Sequence, residues 1–239
     1  ATTEDGVADR VLGQPDLLTG TLPLSAAQSN LSAPVSIGAA PSTDSPVVWI
    51  PDRDAHRAVG WIPTASLPSY LAGQSAWTAS EPKSGLIGLH SPYAVAQASA
   101  QVAIADTGNH RVLYGSLGGF PWVPNAVFGQ LGSFDAATAN LGGLSADSLS
   151  SPQGVAFDLT FSPRRLLVSD TGNHRVLIFT IASPPNTKAI ACLGQPDCTS
   201  GLPNRGSAVS AGSLSSPRAL VTWSDPKDPT NPWRGVFVA

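Results

Sequence analysis

Asp170-Thr171-Gly172-Asn173-His174-Arg175-Val176-Leu177 is repeated without change at Asp106–Leu113. A looser copy of its first six residues lies at Asp52–Arg57. Residues that recur in this way are those that each repeated unit needs in order to fold. The repeat therefore predicts the architecture of the chain better than it predicts an activity.

Two further landmarks recur in step with this turn, about every 60 residues. Gly-Gln pairs begin at Gly13, Gly73, Gly129 and Gly194. Leu-x-x-Pro elements begin at Leu31, Leu89, Leu149 and Leu214. The three landmarks together predict a single domain, 1–239, of four repeats with approximate bounds 11–70, 71–126, 127–190 and 191–239.

Short apolar runs dominate each unit, for example Gly154–Asp158, Leu166–Ser169 and Arg175–Phe179. Runs of this length, rich in Val, Ile, Leu and Phe and bounded by Gly, Pro, Asn or Ser, are typical of β-strands. Thr-Gly-Asn between two runs predicts a hairpin turn in which Gly and Asn take positive φ. We count four strands per unit, which predicts an all-β fold, a β-propeller of four-stranded antiparallel blades.

The Asp-Thr-Gly-Asn-His-Arg-Val turn, with Pro-x-Gly-Val-Ala before it, resembles the NHL repeat. Leu-Gly-Gln-Pro-Asp at 12–16 and 193–197 is similar to a long-blade bacterial variety of that repeat. The resemblance covers nearly the whole chain and implies a propeller. It also implies a choice of activities, because some animal NHL proteins bind RNA and some related propellers are amidating lyases or metal-dependent lactonase-like hydrolases.

Composition and charge narrow these classes. Thirteen Lys and Arg stand against 16 Asp and Glu, giving a net charge of −3, so no basic field is available for a phosphate backbone and we expect no nucleic-acid partner. No apolar run approaches the ~20 residues of a membrane span. The chain has no Met and begins at Ala1. We expect an amino terminus made by secretory processing and an extracytoplasmic location; a trimmed chain is the alternative.

The two cysteines, Cys192 and Cys198, flank Leu-Gly-Gln-Pro-Asp in the fourth unit. Metal ligation would need further Cys or His at matching spacing, and none is nearby. We therefore expect a local disulfide formed in an oxidising compartment, with two buried free thiols as the alternative.

His56, His110 and His174 occupy one repeat position. Packed sheets lie ~10 Å apart, whereas zinc needs a His nitrogen at ~2.0–2.1 Å, so equivalent histidines could share a metal only close to the axis. The Asp that opens each turn can accept turn N–H groups, and the following Arg can hold that carboxylate or nearby carbonyls. We predict structural roles for Asp52, His56, Arg57, Asp106, Gly108, Asn109, His110, Arg111, Asp170, Gly172, Asn173, His174 and Arg175. No catalytic residue, metal site or cofactor is predicted.

The end of the chain predicts an incomplete last blade. Val236–Ala239 aligns with Val102–Ala105, a second strand, and the chain stops where its turn would begin. Ala8–Gln14 matches an outermost strand and could close the last blade, but a third strand is still missing. We favour part of a longer ring of about six blades; a compact four-blade ring is the alternative.

These observations predict an extracytoplasmic binding or scaffolding module, with another protein subunit docked at the incomplete blade or the loop rim. The rival is a secreted metal-dependent propeller hydrolase or lyase.

Overall fold

The structure is a computed structural model that describes residues 8, 10–14, 16–18, 26–39, 47–224 and 234–239. These residues contain antiparallel strands and short 3₁₀ turns, with no α-helix among them. The predicted all-β class is confirmed.

The strands form four sheets. The first contains β1 (Gly38–Ala39), β2 (Val48–Asp52), β3 (Arg57–Trp61) and β4 (Tyr70–Ala72). The second contains β5 (Ala94–Ala98), β6 (Gln101–Asp106), β7 (Arg111–Ser116) and β8 (Ala126–Phe128). The third contains β9 (Gly154–Asp158), β10 (Arg164–Asp170), β11 (Arg175–Ile181) and β12 (Ala191–Leu193). The fourth contains β13 (Leu220–Ser224) and β14 (Arg234–Val238).

Each sheet is an antiparallel meander, because its strands are hydrogen-bonded in the order of the chain. The predicted count of four strands is therefore found in three of the four sheets. The repeated Asp-to-Arg stretch connects the second strand to the third, as the register pair Asp106 with Arg111 illustrates.

The sheets are out of phase with the predicted repeats. The Gly-Gln pairs at Gly73, Gly129 and Gly194 each follow the last strand of a sheet, so the predicted bounds near residues 70, 126 and 190 fall within or beside β4, β8 and β12. A sequence period fixes the length of a unit but not the point at which its sheet begins. The strand that opens the second, third and fourth predicted repeats completes the preceding sheet.

The sheets stack face to face, and apolar side chains fill the space between them. The core between the first and second sheets includes Trp49, Ala58, Val95, Val102 and Ile104. The core between the second and third includes Ala103, Tyr114, Phe128, Leu166 and Phe179. A polar bond joins the first pair of sheets as well, since the Trp49 indole donates to Gln97 Oε1 at 2.9 Å. Both faces of the second sheet are covered, which explains why its strands are apolar throughout rather than alternating.

The first strands of successive sheets lie side by side. Ser36 Oγ, just before β1, donates to the Tyr93 carbonyl before β5 at 2.8 Å, and Thr222 of β13 donates to the Phe157 carbonyl of β9 at 2.9 Å. Gly154 allows the closest approach, because a Cβ there would collide with the Arg218 carbonyl oxygen. Residues of the four first strands line a common cavity.

The fourth sheet has only two strands among the described residues. Val221 pairs with Phe237, and these side chains are 59% and 66% exposed. The equivalent pair of the third sheet, Ala156 and Leu167, is 8% and 1% exposed. The register confirms the predicted alignment of β14 with the second strands.

The segment expected to close the last blade lies partly outside the described residues, at Asp9. Its described residues 10–14 form no strand. Leu12 packs instead against the core of the first sheet, and Gly13 accepts a backbone hydrogen bond from Leu31 at 3.3 Å. The described part of the amino-terminal segment is therefore attached to the first sheet.

Within the described ranges, no helix has the length and apolarity to cross a membrane.

Candidate functional site

The repeated turn folds identically in the first three sheets, including the looser copy. Three residues after the Asp form a 3₁₀ turn, and the following histidine is left-handed, with φ of 51° at His56, 54° at His110 and 55° at His174. The prediction that Gly and Asn take positive φ is wrong. Histidine is one of the few residues besides Gly that enters this region with some frequency.

Glycine is needed in the turn for close approach. The Gly108 N–H donates to the His90 carbonyl at 2.8 Å, and a Cβ on Gly108 would lie 2.7 Å from that oxygen. Gly172 has the same relation to Ser150, with a Cβ 2.8 Å from the carbonyl oxygen. The Leu-x-x-Pro loop thus lies directly against the backbone of the turn.

The Asp that opens each turn anchors the same loop. Asp106 Oδ1 accepts the His90 N–H at 2.7 Å, and Asp170 Oδ1 accepts the Ser150 N–H at 2.7 Å. Asp52 accepts two loop N–H groups, both at 2.8 Å. The backbone donors to the Asp therefore come from the loop that enters the first strand rather than from the turn itself.

The arginine after each turn is buried with its Asp. Arg57, Arg111 and Arg175 are 0% exposed, and each Nε lies 2.7–3.1 Å from the Asp Oδ2. The remaining guanidinium N–H groups donate to loop carbonyls; those of Arg111 go to Gly85 at 3.0 Å, to Gly88 at 2.8 Å and to Phe134. Each Arg therefore holds both the carboxylate and neighbouring carbonyls.

The second and third turns use Asn as well. Asn109 Nδ2 donates to Asp106 Oδ2 at 2.8 Å, and Asn173 Nδ2 donates to Asp170 Oδ2 at 2.7 Å. Burial raises the pKa of both carboxyls, while the facing Arg and the hydrogen bonds lower it. A charged Asp is tolerated here because every oxygen has a donor.

Histidine and threonine connect each turn to the next sheet. His110 Nδ1 accepts the Ser151 N–H at 3.0 Å, and His174 Nδ1 accepts the Ser216 N–H at 3.0 Å. His56 does the same with Ser91. Thr107 Oγ1 donates to the Pro152 carbonyl at 2.6 Å. The sequence predicted a structural histidine but did not indicate this bond between sheets.

Glutamine of the Gly-Gln pair completes the network, although it was not among the predicted site residues. Gln130 Nε2 donates to the His110 carbonyl and the Thr138 carbonyl, both at 2.9 Å. Gln74 and Gln195 make the corresponding bonds. Recurrence of the pair in step with the turn was the signal that could have identified it.

Cys192 and Cys198 form the predicted disulfide, and the Cys198 carbonyl accepts from Arg175 Nη1 at 2.6 Å. In the first sheet, Leu71 and Trp77 have the same spacing around their Gly-Gln pair and pack in one apolar cluster. The disulfide thus occupies the place that an apolar contact fills two sheets earlier.

The described bonds of the network hold backbone segments together. Its Asp and Arg side chains are fully buried. Within the described ranges, no three His, Cys, Asp or Glu side chains are grouped as metal ligands would be.

Acid is expected to destabilise the protein through these histidines. Burial and the nearby His90 lower the pKa of His56 and of His110 from 6.5, and a protonated Nδ1 cannot accept the Ser N–H. Below pH 6.5 the unfolded chain then binds more protons than the folded chain, so the free energy of unfolding decreases as the pH is lowered. The loss should stay below about 1 kcal/mol per histidine, since both are partly exposed.

Thermal melting of wild type and His110→Asn across this pH range measures the effect. Asn tolerates the left-handed region and can accept the Ser151 N–H without titrating. The variant should have a shallower dependence of melting temperature on pH. Equal slopes for the two proteins would contradict the assignment.

No protein-family model matches the chain, and no curated protein matches it.

Proposed function

We propose that the chain is an NHL-type β-propeller, or part of one, that acts as a binding or scaffolding module outside the cytoplasm. Meander sheets stacked face to face, with their first strands around a common cavity, support the propeller. The turn network supports a scaffold, because most of the repeated side chains hold the frame together.

The exposed Val221 and Phe237 pair carries the binding proposal. Its counterparts in the other sheets are buried or partly buried by the next sheet; Trp49 and Ala103, which match Phe237, are both 0% exposed. Two exposed apolar side chains of this kind favour the binding of another apolar surface over them. The fourth sheet therefore presents a face of the kind that elsewhere in the chain lies inside a core.

The outer edge of β14, in the same sheet, is a second feature that a partner could bind. β14 pairs only with β13 among the described strands, so its outer edge has backbone groups to offer. In the third sheet the corresponding strand, β10, pairs with β11. A protein partner that supplied an extended apolar segment would extend the sheet by β-augmentation and cover Val221 and Phe237.

An extracytoplasmic location is supported by the Cys192–Cys198 disulfide, since disulfides persist in oxidising compartments. The low charge of the chain, 12% Asp, Glu, Lys and Arg, suits docking through apolar surface more than through electrostatic steering.

The native mass of the assembly, measured on wild type and Phe237→Asp, tests the proposal. Wild type should form an assembly heavier than 24.4 kDa, with the amides of β14 protected from hydrogen exchange, and Phe237→Asp should release the chain. Leu86→Asp is the control, because Leu86 is 44% exposed on a loop before the second sheet. A monodisperse wild-type monomer with a closed fold would overturn the docking proposal.

A further inference from the structure

The common cavity has properties that the turn network does not explain. One part of it, the Arg218 part, has a volume of ≈ 430 Å³ and is lined by residues at or just before the start of all four first strands. Ligand sites in proteins are typically concave, largely apolar and ~300–1,000 Å³ in volume, with a few polar groups that orient the ligand. The cavity matches this description.

One repeat position in the cavity wall differs in every unit. The residue directly after the Leu-x-x-Pro proline is Val35, Tyr93, Gln153 or Arg218, and all four residues line the Arg218 part of the cavity. The proline before this position, and the Asp and Arg of the turn, do not vary in this way. Because the frame does not require one residue type here, the variation is available for recognition.

Arg218 is the only charged residue among the described residues that line the cavity. Arg218 uses its backbone N–H and C=O in contacts with neighbouring strands, but its guanidinium has no hydrogen bond or ion pair within the described ranges. No Asp or Glu lines either part of the cavity. A cation without a nearby carboxylate favours an anionic ligand.

Gln153 provides a second polar group. Its Oε1 is buried and has no donor among the described residues. A carboxylate has no N–H or O–H to offer this oxygen, so only the Gln153 Nε2 group could donate to an anion. Gln153 and Tyr93, which has a hydroxyl donor, line the same part of the cavity as Arg218.

A second part of the cavity, ≈ 290 Å³, shares with the Arg218 part the residues Ile37, Val95, Val155, Leu220 and Val221. Its wall is mixed, because Gln97 and Thr222 also line it. Ala156, Phe157 and Leu159 extend the wall. Ile37 is 73% exposed although it is a large apolar side chain, which is consistent with a surface that an apolar group covers.

We propose that the common cavity binds an aliphatic carboxylate, with the carboxylate on Arg218 and the alkyl chain along Ile37, Val155 and Leu220. A guanidinium binds a carboxylate through two parallel hydrogen bonds. Binding of the alkyl chain removes apolar surface of both the ligand and the protein from water. Recognition combines the charge of Arg218 with burial of the alkyl chain against apolar side chains.

Calorimetric titration of the intact chain with octanoate tests the site. Saturable binding at millimolar or lower concentration is expected, and 1-octanol, which lacks the charge, should bind at least tenfold more weakly. Arg218→Gln should reduce octanoate affinity at least tenfold and leave 1-octanol binding unchanged. Arg218→Gln should also have the melting temperature of wild type, because among the described residues only backbone groups of Arg218 make hydrogen bonds.

A matched pair of variants separates charge from shape. Ile37→Asp adds an anion to the cavity wall, whereas Ile37→Asn is nearly the same size without the charge. Ile37→Asp should bind octanoate more weakly than Ile37→Asn, and 1-octanol should not distinguish the two. Absence of octanoate binding to folded wild type, or equal octanoate affinity of wild type and Arg218→Gln, would overturn the proposal.

Discussion

Arg111→Met is expected to lower the free energy of unfolding by about 3–5 kcal/mol, the usual cost of removing one partner from a buried ion pair. Arg111 is 0% exposed and donates to Asp106 at 2.7 Å. Without it, the carboxylate that burial already disfavours loses its counter-charge, and the pKa of Asp106 should rise further.

The loss extends beyond the ion pair, because Arg111 also holds two loops. Gly85 and Gly88 belong to the loop before the second sheet, whereas Phe134 follows that sheet's last strand. All three carbonyls lose a charged donor in the variant. Methionine fills a similar space, so the effect reports lost polar contacts more than a new cavity.

Urea denaturation of three variants separates these causes. Arg111→Lys keeps the charge but loses the planar fork, and should lie between wild type and Arg111→Met. Adding Asp106→Asn to Arg111→Met removes the orphaned charge and should recover part of the loss. Arg53→Met is the control, because the Arg53–Asp54 pair is 45% and 59% exposed and should contribute at most about 1 kcal/mol. A loss for Arg111→Met no larger than that of Arg53→Met would contradict the network.

The strands and their turns were predictable because both rest on local chemistry. Val, Ile, Leu and Phe in short runs favour strands wherever they pack, and Asp106 to Arg111 has the same turn as Asp170 to Arg175 because the residues are identical. The pairing of Cys192 with Cys198 also follows from a short separation and the lack of other cysteines.

The partners of the turn residues were not predictable from one sequence. The His110 bond to Ser151 spans 41 positions, and the Asp106 bond to His90 spans 16. Propensity describes a residue and its near neighbours, whereas these bonds depend on how sheets stack. The same limit applies to Phe237, whose exposure depends on what covers the fourth sheet.

The turn glycine shows how a correct residue can be given a wrong reason. Gly in a hairpin turn usually indicates positive φ, but in this turn His110 takes that conformation. Gly108 is required by the carbonyl of His90, which belongs to a loop distant in sequence. Conformation and contact make different predictions for substitution.

Gly108→Ala is expected to destabilise the protein by about 1–3 kcal/mol, the range for an added methyl group that the surroundings cannot accommodate. The new Cβ would lie 2.7 Å from the His90 backbone oxygen and 2.6 Å from its Cγ. Moving His90 would weaken two bonds of its backbone, its N–H to Asp106 and its carbonyl to Gly108.

Gly108→Asn decides between the two reasons. If positive φ were the requirement, Asn would be tolerated better than Ala, because Asn enters the left-handed region readily. If the contact with His90 is the requirement, Asn should be no better than Ala, since it carries the same Cβ. Gly212→Ala is the control, because its Cβ would meet only the flexible end of Arg205. Chemical denaturation should therefore give a loss for both Gly108 variants and little change for Gly212→Ala; a stable Gly108→Asn would restore the conformational explanation.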